Sequence, residues 1–293
     1  MIDIKEIPIF IISYNRMKDL KKIIISLESK GYNNIIILDN ASNDQELLKY
    51  LKQLQCKYKV HFLKENYGHM VLWKCGLYDD LINDSYYVLT DNDIIPIEEC
   101  PNNFLEVFYE ILQKNPCKGK CGFSLKIDDL PNEYKYKWDI IRYESFFFRD
   151  IIYDDKYTLY NALIDTTFAL YRPEKYRKEI KVSFYDAIRV GYPYEARHLT
   201  WYVNSEKLTE EQNKYFNDGK KFSTSMNELA IQSFRREVIG WLANMQDSDL
   251  YDLIKLMCTK KFIKKNISYK GIIKGFFFLV YRKILLMFKH YNK

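Results

Sequence analysis

Within the first hundred residues, four short apolar runs alternate with stretches of helical periodicity, and this alternation constrains the fold more than any other feature. Pro8–Ser13 is a β-branched run closed by Asn15 and Arg16. Leu20, Ile23, Ile24 and Leu27 then recur at helical spacing through Met17–Ser29, which stops at Gly31. Asn34–Asp39 is a second strand before the polar loop Asn40–Asp44, and Gln45–Leu54 a helix with Leu47, Leu48, Leu51 and Leu54 inward. Tyr58–Leu63 is a third strand, Gly68 breaks it, and His69–Leu81 reads as helix. Tyr86–Leu89 is a fourth strand, ended by Thr90-Asp91-Asn92-Asp93, and Asn103–Gln113 another helix. Uninterrupted apolar strands between helices predict an α/β fold: a mostly parallel sheet with helices on both faces.

In such a sheet the ligand lies beyond the carboxyl ends of the strands. The polar signals of this half all fall there: Ser13-Tyr14-Asn15, Asp39-Asn40, Asn66-Tyr67-Gly68-His69 and Asp91-Asn92-Asp93. Alternate residues of an extended segment point the same way, so Asp91 and Asp93 are expected to converge on one ligand. Two hard oxygen donors suit Mg²⁺ or Mn²⁺, held by one or two carboxylates plus substrate phosphates. A solvated turn accounts for the same residues without a ligand.

The second half is less regular. Gly122–Ile127 and Thr167–Tyr171 read as strands, Pro131–Tyr160 as an irregular insertion over the site, Gly191–Asn204 as a polar-aromatic loop and Asn227–Gln246 as helix. Asp165, entering an apolar strand on the acceptor side, is a candidate general base. Tyr194–Tyr202 packs Glu195, Arg197 and His198 among aromatics. There His198 is a candidate metal ligand, Arg197 a candidate bidentate phosphate binder and Glu195 a second candidate base.

A length of 293 residues and a 47% hydrophobic content fit one large domain or two small ones and exclude disorder. The six cysteines are scattered without a CxxC pair, which predicts free thiols and no zinc site. The net charge of +6 hides an asymmetry: Leu253–Lys293 carries 11 Lys and Arg residues and no acid, on a mildly acidic body. That pattern argues against a nucleic-acid binder and for contact with an anionic surface through the tail. Most of Lys270, Lys274, Arg282 and Lys289 share one helical arc, opposite Ile272, Phe276, Leu279, Val280, Ile284 and Met287, as in an interfacial helix, with Lys283, Phe278, Leu285 and Phe288 breaking the pattern. A docked terminal helix or a dimer contact is the alternative. Gly275–Tyr281 is too short to span a bilayer and no signal peptide is visible. The expected location is cytoplasmic, peripheral on the inner face of the plasma membrane.

Pro8–Asn15, Ile35–Ser42, Asn66-Tyr67-Gly68 and Val88–Asp93 together resemble the nucleotide-sugar-binding half of the GT-A glycosyltransferases, in the style of family 2. The resemblance implies a GT-A, Rossmann-like sheet. It places Ser13, Tyr14 and Asn15 against the nucleobase and ribose, and Asp39 as the carboxylate that accepts from the base, typically uracil. It places Asp91 and Asp93 on a Mn²⁺ or Mg²⁺ ion and the diphosphate. Asn66, Gly68, His69, Asn92 and Arg197 complete the expected donor site, and His198 the metal shell. The sequence departs from the family in having Asn92 where Asp or Ala is usual, and in lacking an evident later Glu-Asp motif. Asp165 and Glu195 therefore both stand as catalytic candidates.

The expectation is a GT-A domain over residues 1–255, divided at 100 into donor and acceptor halves, with a basic amphipathic extension over 256–293. It would transfer a sugar, by an inverting route, from a UDP-sugar to a hydroxyl of a bacterial-type surface glycan or lipid-linked acceptor. Its partners would be the donor, the acceptor and an anionic membrane surface. A nucleotidyltransferase on the same sheet would want a Gly-rich phosphate loop, and Ser13–Lys18 holds no glycine. A non-catalytic membrane-surface protein is the other alternative.

Overall fold

The four expected strands lie side by side in a computed structural model that describes residues 3–179 and 186–218. They are β1 (Ile9–Ser13), β2 (Ile35–Asp39), β3 (Lys59–Phe62) and β4 (Tyr87–Asp91), paired in parallel in the order β3-β2-β1-β4. Helices α1 (Met17–Ser29) and α2 (Gln45–Leu54) have the expected bounds. Alternation in β1 divides the core. Ile9 and Ile11 pack with Leu20, Ile23, Leu47 and Leu51 on one face, while Phe10 and Ile12 pack with Val71, Leu72 and Ile82 on the other.

The helix expected over His69–Leu81 is broken. A 3₁₀ turn at Gly68–Met70 leads to α3 (Val71–Lys74), Gly76 takes φ +68°, and α4 (Asp79–Asp84) follows. That left-handed residue ends a helix that apolar spacing alone would have continued. After β4 come a turn at Asn92-Asp93, β5 (Ile94–Pro96) and α5 (Phe104–Lys114).

Beyond α5 the sheet continues as β6 (Lys120–Leu125), and the aromatic insertion forms α6 (Lys137–Glu144), β7 (Ile151–Ile152) and β8 (Leu159–Asn161). β9 (Ala169–Tyr171) runs antiparallel between β4 and β6, and α7 (Glu174–Glu179) follows. The expected loop over Gly191–Asn204 is instead mostly strand: β10 (Ala187–His198), twelve residues long, pairs with β6, β8 and β5. Its register slips between Val190 and Glu195, so Gly191 and Pro193, which read as loop punctuation, sit in a bulge. A 3₁₀ turn at Leu199–Trp201 and α8 (Glu210–Asp218) end the described chain. The expected helix 227–246, the boundary at 255 and the basic extension 256–293 lie outside the described residues. Among the described residues no helix is long and apolar enough to cross a membrane, and the described cysteines are free thiols.

Candidate functional site

The carboxyl ends of β1 and β2 are tied together by one asparagine. Asn15 adopts φ +47°, receives Asn43 N and Asp44 N on its side-chain oxygen at 2.9 and 3.1 Å, and donates to Asn43 Oδ1 at 3.1 Å. Its side chain holds the loop after β2. Asn40 does the same for the next loop, accepting from Tyr67 N and donating to Gly68 O. Asn66 in turn accepts from Gly68 N. Between these clasps lies Asp39, 1% exposed, opposite Ser13 in the ladder. Asp39 Oδ2 accepts from Ser42 N, while Oδ1 and Ser13 Oγ are buried without a hydrogen-bond partner. Burial raises the Asp39 carboxyl, against two hydrogen bonds from Ser42. An unsatisfied buried acceptor costs about 1–3 kcal/mol, so an edge that keeps one open is suited to a ligand with an N–H.

The Asp-Asn-Asp triplet does not lie along one strand. Asp91 ends β4, whereas Asn92 and Asp93 form the turn, so the expected same-side convergence gives way to two sets of partners. Asp91 Oδ2 accepts from Thr166 Oγ1 at 2.8 Å. Asn92 donates to Arg16 O at 3.4 Å, tying the turn to the end of β1. Asp93 Oδ2 receives Arg16 Nη1 at 2.7 Å and Thr200 Oγ1 at 2.5 Å. Arg16 also bonds Asp19 and lies under the Tyr215 ring at 4.7 Å. Helix α8, which carries Tyr215, is fastened by Glu211 accepting from Lys18 N and by a Lys214–Asp44 ion pair at 3.2 Å.

β10 brings His198 opposite Ile94, and its Nδ1 stops 3.1 Å from Asp93 Oδ2. The ring stacks on Trp201 at 4.5 Å. That nitrogen is buried and forms no hydrogen bond. Burial holds the imidazole below its ordinary value, against the opposing pull of Asp93. Such a pair fits a divalent cation, which carboxylate and imidazole ligate together. Among the described residues no three acidic, His or Cys side chains converge, so Asp91 does not close a three-residue cage with Asp93 and His198.

Electrostatically the two acids diverge. Burial, then Asp93 and Asp165, push the Asp91 carboxyl well above the usual range. Burial acts the same way on Asp93, but Arg16, His198 and the Thr200 hydroxyl outweigh it and hold that carboxyl below the usual range. Arg16 is raised, burial being overcome by Asp93 and Asp19.

The remaining candidates separate. Arg197 and Glu195 alternate with His198 along β10 and so face the other side of the strand. Arg197 donates through Nη2 and Nε to the one oxygen Asp129 Oδ2, at 2.6 and 3.1 Å. Glu195 is half-buried, and its carboxyl is raised by burial near Lys126 and the Asp128–Asp129 pair. Asp165 is exposed and stands beside Asp91, whose amide donates to Thr166 O at 3.0 Å. With His69, Asp165 lines a cavity of about 340 Å³. Tyr14 is half-buried beside the β1 clasp. Sequence reading took Arg16 only as a strand terminator and passed over Thr166 and Thr200. A cation directly after the first strand was the available signal for Arg16, but its partner Asp93 lies 77 residues away.

Residues 9–179 match glycosyl transferase family 2. No curated protein sequence matches the chain. Among solved structures, the mannosyltransferase PcManGT from Pyrobaculum calidifontis, in complex with GDP-Man and Mn²⁺, is 11% identical with a TM-score of 0.41, covering 95% of this chain and 88% of that one. S. aureus TarS 1–349 in complex with UDP is 12% identical with a TM-score of 0.42, covering 81% and 79%. The family match takes in more than half of the chain and every strand from β1 to β9, and the chain belongs to glycosyl transferase family 2.

Proposed function

We propose that this glycosyltransferase takes a uridine-diphosphate sugar as donor and transfers the sugar to a hydroxyl of a surface glycan or lipid-linked acceptor. One observation carries the reading: the carboxyl edge of the sheet keeps a buried acceptor unsatisfied, Asp39 Oδ1 at the end of β2, and sets His198 Nδ1 3.1 Å from the Asp93 carboxylate. Asp39 would accept the N–H of the base, with Ser13 and Tyr14 alongside it. Asn15, Asn40 and Asn66 fix the loops that frame that position.

Asp93 and His198 would hold a Mg²⁺ or Mn²⁺ ion, with Asp91 and the donor diphosphate beside it. When bound, such an ion neutralises the departing diphosphate. Arg16 and Thr200 keep the Asp93 carboxylate ionised and oriented. Asp165 is the better placed base: it adjoins Asp91 and opens into a cavity, whereas Glu195 faces away from His198. It would take the acceptor hydroxyl proton as that oxygen attacks the anomeric carbon and the bond to the diphosphate breaks, inverting the centre.

Incubation of the full chain with a panel of UDP- and GDP-sugars and Mn²⁺ tests the reading. Release of nucleoside diphosphate supports it. Release of inorganic diphosphate from a nucleoside triphosphate and a sugar phosphate supports a nucleotidyltransferase instead. No release and no nucleotide binding sinks both. We further propose that residues 256–293 form a separate basic extension that attaches the enzyme to anionic lipid. Flotation with phosphatidylserine vesicles at low and high salt, with and without residues 256–293, tests it; equal flotation of both forms removes the extension from the account.

A further inference from the structure

The segment that carries Asp165 and Thr166 has no secondary structure of its own: it covers residues 162–168, between β8 and β9. Loop carbonyls are ordinarily left to water. Here four in a row are held by the protein. Leu163 O accepts from Arg189 Nε at 2.7 Å and Ile164 O from Lys120 Nζ at 2.5 Å. Asp165 O accepts from the Tyr171 hydroxyl at 3.3 Å and Thr166 O from Asp91 N at 3.0 Å. The four donors stand on four different strands, β10, β6, β9 and β4.

Two of these donors are buried cations. Lys120 opens β6 and Arg189 lies within β10, 9% and 3% exposed. A buried charge destabilises the fold unless it is paired and hydrogen-bonded. Arg189 Nη1 donates to Glu144 at 2.6 Å, and the guanidinium lies 3.8 Å over the Phe147 ring, which leaves Nε to reach Leu163. The Lys120 ammonium also donates to the Tyr171 hydroxyl at 3.4 Å, and that hydroxyl passes the bond on to Asp165 O. Tyr171 is itself fixed, stacked on Tyr87 at 5.0 Å. Well-packed apolar side chains would spare the desolvation of both cations, so core stability alone does not explain them.

What they hold accounts for them. The Asp165 side chain lines the cavity beside Asp91, and the Thr166 hydroxyl donates to Asp91 Oδ2 at 2.8 Å. A carboxylate on an unsupported loop would sample many positions, and a misplacement of about 1 Å can cost about a hundred-fold in rate. Groups that must be placed this closely need a supporting shell.

We propose that Lys120 and Arg189 are positioning residues: from β6 and β10 they clamp the 163–166 backbone against the end of β4, and so fix Asp165 and Thr166 beside Asp91. The role of Asp165 here rests on the glycosyltransferase reading, whereas the clamp rests on geometry alone. Neither cation stands out in the sequence, because each acquires its partner only through the sheet.

Hydrogen exchange and transfer kinetics on the full chain test the clamp in Lys120→Met and in Arg189→Lys, which keeps a cation for Glu144 but lacks Nε. Exchange at residues 162–168 and at the Asp91 amide should quicken by about ten-fold or more, while β1 and β2 stay within about two-fold of the parent. The kcat for transfer should fall by about ten-fold or more, with UDP affinity within about two-fold. In an Asp165→Asn background the same substitutions should lower kcat by less than about two-fold, since the group they place is gone. A merely structural role would cost the same in both backgrounds. Arg189→Lys carries the test if Lys120→Met does not fold. Unchanged exchange in both variants, or an equal kcat loss with and without Asp165, overturns the proposal. If the parent transfers no sugar from any donor, the glycosyltransferase reading fails, and the exchange rates alone then uphold or overturn the clamp.

Discussion

Replacing Arg16 with methionine keeps the length of the side chain and removes the guanidinium that faces Asp93 at 2.7 Å. The two side chains are 9% and 3% exposed, so water cannot take over the lost contact. Thr200 still donates to Asp93, but a hydroxyl does not replace a charge, and burial keeps His198 neutral. Breaking a buried pair from one side costs about 3–5 kcal/mol, because a charge is stranded. For a chain of this size that lowers the thermal midpoint by about 10 °C. Urea denaturation followed by circular dichroism measures the loss. The double variant Arg16→Met/Asp93→Asn should recover about half of it or more, since it neutralises the stranded carboxylate. Mn²⁺ should stabilise Arg16→Met more than the parent, because a cation at Asp93 then fills the missing role; at a hundred-fold excess over Kd such binding adds about 2.7 kcal/mol. Asp93 titrates below its ordinary 3.8 in the folded chain, so the pair's contribution is present above that value and fades as pH falls beneath it. An Arg16→Met midpoint within about 0.5 kcal/mol of the parent, or a double variant weaker than the single, would refute the reasoning.

Asp39→Asn should lose discrimination of UDP from CDP by about 1–3 kcal/mol in calorimetry, because an open carboxylate oxygen is replaced by an amide. Asp91 is raised above 3.8 by burial and by Asp93 and Asp165, so its ionisation opposes folding and its contribution is lost as pH rises through the raised value. Without divalent cations, Asp91→Asn should therefore be more stable than the parent near neutrality, with the gain shrinking as pH falls; a pH-independent difference in urea midpoints contradicts this. Gly122→Ala should cost about 1–3 kcal/mol by thermal unfolding, since a Cβ there would lie 2.9 Å from Ala169 Cα and press on the Phe168 carbonyl.

β1, β2 and β4 were legible because each is buried on both faces and leaves an apolar run, as in Phe10–Ile12 and Ile35–Leu38, whereas β3 is a partly exposed edge strand interrupted by Lys59 and His61. The edge that gathers Asp39, Asp91 and the Asn66–Gly68 loop follows from that sheet. What escaped was decided by long-range pairing. β10 reads as loop because Gly191 and Pro193 interrupt it, and only its partners β6, β8 and β5 make it a strand. Arg16 and Thr200 acquire meaning from Asp93, which lies far from both in the chain. Arg197 and His198 are neighbours in sequence, but strand alternation sends one to Asp129 and the other to Asp93. Asp165 and His69, read separately, meet in one cavity because the segment before β9 and the loop after β3 reach the same edge.

The turn at Asn92-Asp93 also fixes how the site must treat an anion. Asp19, Asp91, Asp93 and Asp165 gather around or beside the single guanidinium of Arg16, and His198 adds no charge while neutral. The edge is therefore net negative where a diphosphate would lie. Arg197, the cation expected to offset it, is committed to Asp129 on the other side of β10. A nucleoside diphosphate arriving alone meets repulsion at close range, weakly screened because Asp91 and Asp93 are buried. A divalent cation reverses the balance. UDP should accordingly bind at least about ten-fold tighter with Mn²⁺ than in EDTA, a difference of about 1.4 kcal/mol. Uridine, which lacks the phosphates, should bind equally in both conditions through Asp39. Calorimetry of both ligands separates the contributions, and UDP affinity that is unchanged by EDTA would show that this cluster of acids does not face the diphosphate.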